Sequence, residues 1–184
     1  MITMTLDPAI AALIVACTAL LFATAAIHKW RDLRRFEEIF AAYGLLPVPA
    51  RWPVARAVPL LEALVAGGLL LDSTRNAAAC VGAVLLLAYA AAIGFNLSRG
   101  RRDLACGCGG PDDRRPIAPW MVGRNIFIAA LSVLIVTVPW GSRALVATDL
   151  VTIGFGTATC ALVYLCLDRL LGRNARLSAQ PRMM

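Results

Sequence analysis

The stretch Ala77–Leu97, AAACVGAVLLLAYAAAIGFNL, runs 21 residues without a charged side chain. A helix needs about 20 such residues to cross the hydrocarbon core of a bilayer. The same signal recurs on both sides of it. Pro8–Ile27 is 20 residues without a charge, and Leu150–Leu167 is 18. Two further stretches are less clean: Val54–Leu71 carries Arg56 and Glu62, and Trp120–Trp140 carries Arg124 near one end. The chain is 60% hydrophobic, against about 45–50% for a soluble domain, and its mean hydropathy is +0.74. These features predict an all-α polytopic bundle, one transmembrane domain over residues 1–184. The five spans fall at about 8–27, 54–71, 77–97, 120–140 and 147–168, the second carrying the weakest signal. No basic residue precedes the first span, and His28-Lys29-Trp30-Arg31 follows it in place of a small-residue cleavage site. A membrane helix is expected there, not a cleaved leader.

Charge orients these spans. Sixteen of the 18 Lys and Arg residues fall in three regions: 28–56, 98–124 and the tail. Arg75 and Arg143 occupy the two remaining connections. With five spans, the three rich regions share one side, which the positive-inside rule makes cytoplasmic. The expected protein lies in a bacterial inner membrane, N-terminus periplasmic, C-terminus and the 98–119 loop cytoplasmic. Juxtamembrane loops account for every basic cluster, so no nucleic-acid partner is expected; the lipid bilayer is.

Between the first two spans, Leu33, Phe36, Ile39, Phe40 and Tyr43 recur at helical spacing. They predict a short amphipathic helix over about 32–43, lying at the membrane interface. Gly44 is placed to end it, and Pro47, Pro49 and Pro53 to punctuate the return to the membrane. Trp30, Trp52, Trp120 and Trp140 fall near span ends, the aromatic-belt position. Small residues four apart, such as Ala78 and Gly82, let helices of the bundle approach closely.

The chemistry-bearing motif is Cys106-Gly107-Cys108, in a polar, Gly-rich loop of 22 residues from Ser98 to Pro119. Two thiols one glycine apart can join in a tight, strained ring. A strained, exposed disulfide is labile and suits exchange better than stapling. Nearby arginines favour the thiolate, while Asp103, Asp112 and Asp113 oppose it. The alternatives are two incidental cysteines or half a metal site. A zinc site needs about four ligands; the chain has one His, and its other cysteines lie in hydrophobic stretches, so no metal is assigned. Cys17 and Cys160 fall near mid-membrane by residue count, either as ordinary packing or as a pair able to relay electrons. Glu62 is the only carboxylate well inside a span, and such a group needs a partner. Depth counting suggests Arg124, with His28 nearby. The cluster would either fix helix packing or carry protons for the thiols.

Several blocks, in order, carry a resemblance: Ala26-Ile27-His28-Lys29-Trp30-Arg31-Asp32, Tyr43-Gly44-Leu45-Leu46-Pro47, Pro59-Leu60-Leu61-Glu62, Asn96-Leu97-Ser98-Arg99-Gly100-Arg101, Cys106-Gly107-Cys108-Gly109-Gly110 and Arg124-Asn125. Over residues 26–125 the chain resembles the MauE/DoxX-like redox-associated membrane proteins of methylamine utilisation. The resemblance implies a four-helix core with one added helix. It implies a role in maturing the periplasmic small subunit of methylamine dehydrogenase, with a thioredoxin-like, MauD-like partner. In that role Cys106 and Cys108 would exchange disulfides without independent substrate turnover, with Glu62, Arg124 and His28 in support. No cofactor is identified, and a bound quinone is left open. The rival class is a non-redox anchor or chaperone for the subunit or its partner.

A periplasmic client and a cytoplasmic thiol loop are in tension. Either the bundle passes reducing equivalents outward through a second pair such as Cys17 and Cys160, or the loop dips into the bundle and is reached from outside. The charge asymmetry favours the first.

Overall fold

The computed structural model describes residues 5–107 and 116–179, with side chains described as far as Leu171. Its helices are α1 (Pro8–Arg31), α2 (Leu33–Ala42), α3 (Val48–Leu70), α4 (Arg75–Ser98), α5 (Pro119–Thr137) and α6 (Ala147–Ala179). Five of them are long and apolar enough to cross a membrane; the chain is a multi-pass membrane helix bundle.

Local chemistry sets the helix starts. Asp7 caps α1 by accepting a hydrogen bond from the Ala9 N–H at 2.8 Å, with Pro8 in the first turn. A proline there gives up an N–H that has no helical partner anyway. Asp32 ends α1 and caps α2, accepting from the Arg35 N–H at 3.2 Å. Gly44 follows α2 at φ +65°, the left-handed conformation that stops a helix.

Two boundaries differ most from the sequence reading. α3 starts at Val48, not near residue 54. Pro47 is its extended cap, Pro49 lies in the first turn, and Pro53 and Pro59 are absorbed within the helix. These prolines begin the helix and continue in it; a transmembrane bundle tolerates them because neighbouring groups re-satisfy the freed backbone. α6 continues past residue 168 to Ala179, because the charges from Asp168 onward end the apolar run without ending the helix.

Four helices close a ring: α1 packs on α3, α3 on α4, α4 on α5, and α5 back on α1. The backbones of the diagonal pair α3 and α5 stay apart, and α6 lies outside the ring against α1. The ring is filled by Phe22, Val65, Leu69, Ala79, Ala83, Leu86 and Ala129, among others. Gly82 makes the fit possible. A Cβ there would meet Phe22 at 3.0 Å and Val65 at 3.1 Å, so α1, α3 and α4 converge where one helix has no side chain.

The ring has two distinct ends. One carries α2, the α4–α5 loop and the last turns of α1 and α6; it is the basic end. The other is latched by short-range bonds. Leu6 donates to the Pro139 carbonyl at 2.9 Å and accepts from the Gly141 N–H at 2.8 Å. Arg143 bonds Asp7 at 3.2 Å and Asp149 at 2.6 Å. Arg75 pairs with Asp72 and lies 4.6 Å from the centre of the Trp140 ring. Both arginines of this end are therefore neutralised locally.

Candidate thiol site and its buried ion pair

Leu104 and Ala105 pair with Pro116 and Ile117, the Ile117 N–H donating to the Leu104 carbonyl at 2.9 Å. This bridge pinches off the part of the loop that contains Cys-Gly-Cys. Buried Leu104 and Ile117 anchor it in a cluster with Tyr43, Ile93 and Met121, and half-buried Cys106 packs against that cluster. Cys108 lies outside the described residues.

Two contacts hold the loop on α2. Arg101 donates to the Asn96 side-chain oxygen at 3.1 Å and to the Ala42 carbonyl at 2.8 Å, clamping α4 to the end of α2. Gly107 has φ +73°, and a Cβ there would sit 3.2 Å from Ile39 and 3.6 Å from Phe36. The apolar face of α2 is thereby divided. Phe36 packs with Ala55 and Val58 of α3, whereas Ile39 and Tyr43 face the thiol loop. α2 is amphipathic as read, and most of its apolar face is taken up by protein. Its buried Glu37 pairs with Arg56 of α3 at 2.8 Å.

Glu62 does not pair with Arg124. Its partner is Lys29, with both side chains under 5% exposed, at 1% and 3%. The Tyr89 hydroxyl donates to the same Glu62 oxygen at 2.8 Å. The Lys29 ammonium also lies 5.2 Å from the centres of the Phe36 and Tyr89 rings. Ring closure is the reason: α3 packs directly along α1, whereas its backbone stays away from that of α5 across the ring. Side-chain direction completes it. Side chains lean toward their own helix N-terminus, so Lys29 leans into the bundle from the end of α1. Glu62, on the oppositely running α3, leans toward the basic end to meet it. His28, one residue away, has a buried Nδ1 with no partner among the described residues. Lys29 stood beside His28 in the sequence; its place in the last turn of an apolar helix was the available signal.

Arg124 works elsewhere. It donates to the Tyr164 hydroxyl at 2.9 Å and to Asp168 at 3.4 Å, between the rings of Trp120 and Tyr164 at 5.3 and 5.6 Å. It joins α5 to α6 near the basic end. Cys17 and Cys160 fall at the same level on neighbouring helices: α6 lies along α1, with Leu13 packed on Gly156 one turn before each.

The parts near the basic end form a connected arrangement. A pinned loop presents Cys106; under Gly107 lies Phe36; under Phe36 lies the Lys29 ammonium on Glu62. Thiol exchange needs an accessible sulfur and a favourable charge environment, and such a loop can supply the first.

Comparison with known proteins places the chain in a family. A family model described as methylamine utilisation protein MauE matches residues 7–141. Curated proteins of that name are similar over most of their length. The protein from Paracoccus denitrificans is 36% identical over 164 residues, 88% of this chain and 87% of its own. That from Methylophilus methylotrophus is 33% identical over 90% and 88% of the two chains. That from Paracoccus versutus is 31% identical over 86% and 85%. No solved structure matches the chain.

Proposed function

The chain belongs to the MauE family of methylamine utilisation proteins, and from that premise we propose that it is a membrane thiol-exchange component. In this reading it assists maturation of the periplasmic methylamine dehydrogenase small subunit together with a thioredoxin-like, MauD-like partner. The observation that carries the reading is the Cys106-Gly107-Cys108 sequence on a loop held at both ends, by the Leu104–Ile117 bond and by the Arg101 clamp.

The step is exchange, so electrons balance without a further oxidant. A thiolate of one protein attacks a sulfur of the other's disulfide; one S–S bond breaks as another forms. The thiolate released on the broken side takes a proton. Opening a Cys106–Cys108 disulfide relieves a strained ring, which favours passing oxidation on to a client.

In this reading the membrane is the bacterial inner membrane and the basic end faces the cytoplasm. Supporting this is the charge distribution, sixteen cations against two, with both members of the minority neutralised by carboxylates.

The test is a C106S/C108S variant in a host that requires methylamine dehydrogenase. The small subunit is expected to lose its disulfides and the enzyme its activity, while the variant still inserts in the membrane. Normal maturation with the double variant would overturn the redox reading and leave a non-redox anchor or chaperone for the subunit or its partner.

A further inference from the structure

Cys17 and Cys160 lie in the middle of the membrane-spanning parts of α1 and α6. Their common level follows from the register of the two helices. Both helices run from the latched end to the basic end. Leu13 packs on Gly156, where a Cβ would come within 3.0 Å of the leucine methyl. One helical turn further on in each, residue 17 comes level with residue 160. Gly156 brings the helices close at the neighbouring turn, as a disulfide with its short Cα separation requires.

The surroundings decide what can react with the pair. Cys17 is half-buried and Cys160 is exposed on a helix that packs along α1 and meets α5 only near the basic end, through Arg124. The neighbouring Phe155, Leu162 and Val163 are exposed. In a membrane that face meets acyl chains, which exclude charged and water-soluble oxidants. The loop at the basic end is several helical turns away along α1 and α6, too far for direct exchange with Cys106.

We propose that Cys17 and Cys160 form a dithiol/disulfide couple oxidised by a lipid-soluble quinone. Two S–H bonds break and one S–S bond forms between α1 and α6. The two electrons and two protons pass to the quinone, which becomes the hydroquinone. The bond fixes α6, which lies outside the four-helix ring, to α1 at mid-membrane. Because the couple is defined without Cys106 or Cys108, it stands or falls independently of the loop chemistry.

The experiment uses the full chain in lipid nanodiscs, with Cys80, Cys106, Cys108 and Cys166 replaced by serine. Without oxygen, a short-chain ubiquinone is added, and the remaining thiols are alkylated after denaturation. Both thiols are expected to become unreactive, with loss of two hydrogens from the intact mass and one hydroquinone formed per chain; a reductant restores them. Oxidised glutathione is expected to leave them reactive. Full alkylation after prolonged exposure to quinone would overturn the proposal. So would the same loss of alkylation at Cys160 in the further variant Cys17→Ser, or oxidation by glutathione alone. Should the multiple variant not fold, peptide mapping of the wild-type chain under non-reducing conditions decides: a linked pair of peptides containing Cys17 and Cys160 is expected with quinone, and its absence refutes the couple.

Discussion

Lys29 and Glu62 neutralise each other at the point where four helices meet. Lys29 comes from α1, Glu62 from α3, the Phe36 ring against the ammonium from α2, and the Tyr89 hydroxyl on the carboxylate from α4. One Glu62 oxygen takes both bonds; the other, Oε2, has no partner among the described residues. A charge at this depth survives only with a partner, because lipid and apolar side chains offer no solvation.

Breaking the pair from one side is therefore costly. Lys29→Met or Glu62→Leu alone is expected to destabilise the bundle by about 3–5 kcal/mol, since each leaves a buried charge uncompensated. The double variant removes both charges and is expected to recover most of that loss. Thermal unfolding in detergent checks this. Single variants as stable as the parent would refute a buried, mutually dependent pair.

Gly107 is tied to the loop's position by its backbone. Gly107→Ala places a Cβ where φ is +73° and Ile39 is 3.2 Å away, with a left-handed penalty of about 1–2 kcal/mol. The loop is expected to lift from α2. Alkylation of Cys106 by a soluble maleimide should quicken about tenfold, the equivalent of about 1.4 kcal/mol of lost docking. An unchanged rate would mean that the contact with α2 does not hold the loop.

The latch at the other end depends on ionised Asp7. Its carboxyl is held below the ordinary value of 3.8, first by the Ala9 N–H, then by Arg143. A carboxyl with a lowered folded pKa contributes stability above its unfolded pKa and loses it as pH falls through the folded one. The latch should be intact at neutral pH and weaken below about pH 4. Hydrogen exchange at the Leu6 and Gly141 amides, corrected for intrinsic rate, should accelerate there, and Asp7→Asn should reproduce part of the effect at neutral pH. Equal protection in Asp7→Asn and the parent would refute the link.

Topology is testable with one added thiol. Ser142 is exposed in the α5–α6 connection at the latched end. In intact cells, a membrane-impermeant thiol reagent should label a Ser142→Cys variant and leave Cys106 unlabelled. The reverse pattern would contradict the placement of the basic end in the cytoplasm.

The spans were legible because lipid imposes a one-dimensional rule: enough consecutive apolar residues make a crossing helix, whatever surrounds them. Ala77–Leu97 satisfied it without help from its neighbours. The Val48 start of α3 was less visible, because Pro49 and Pro53 read as breakers until their place early in a helix is known. The Cys-Gly-Cys motif was visible as chemistry, yet its seat on Phe36 and Ile39 was not, since nothing local joins residue 107 to residue 36.

By itself, then, the sequence determined that this chain is a membrane bundle, which ends of its helices are basic, and which loop bears adjacent thiols. Those are properties of consecutive residues and need no partner. The tertiary structure alone decided who stands beside whom: Glu62 with Lys29 and not Arg124, Arg124 with Tyr164 and Asp168, and Cys17 level with Cys160. Depth along a helix can be counted from sequence. Which helix lies next, and which face it turns, is fixed only when the ring closes around positions such as Gly82, where close packing admits few arrangements.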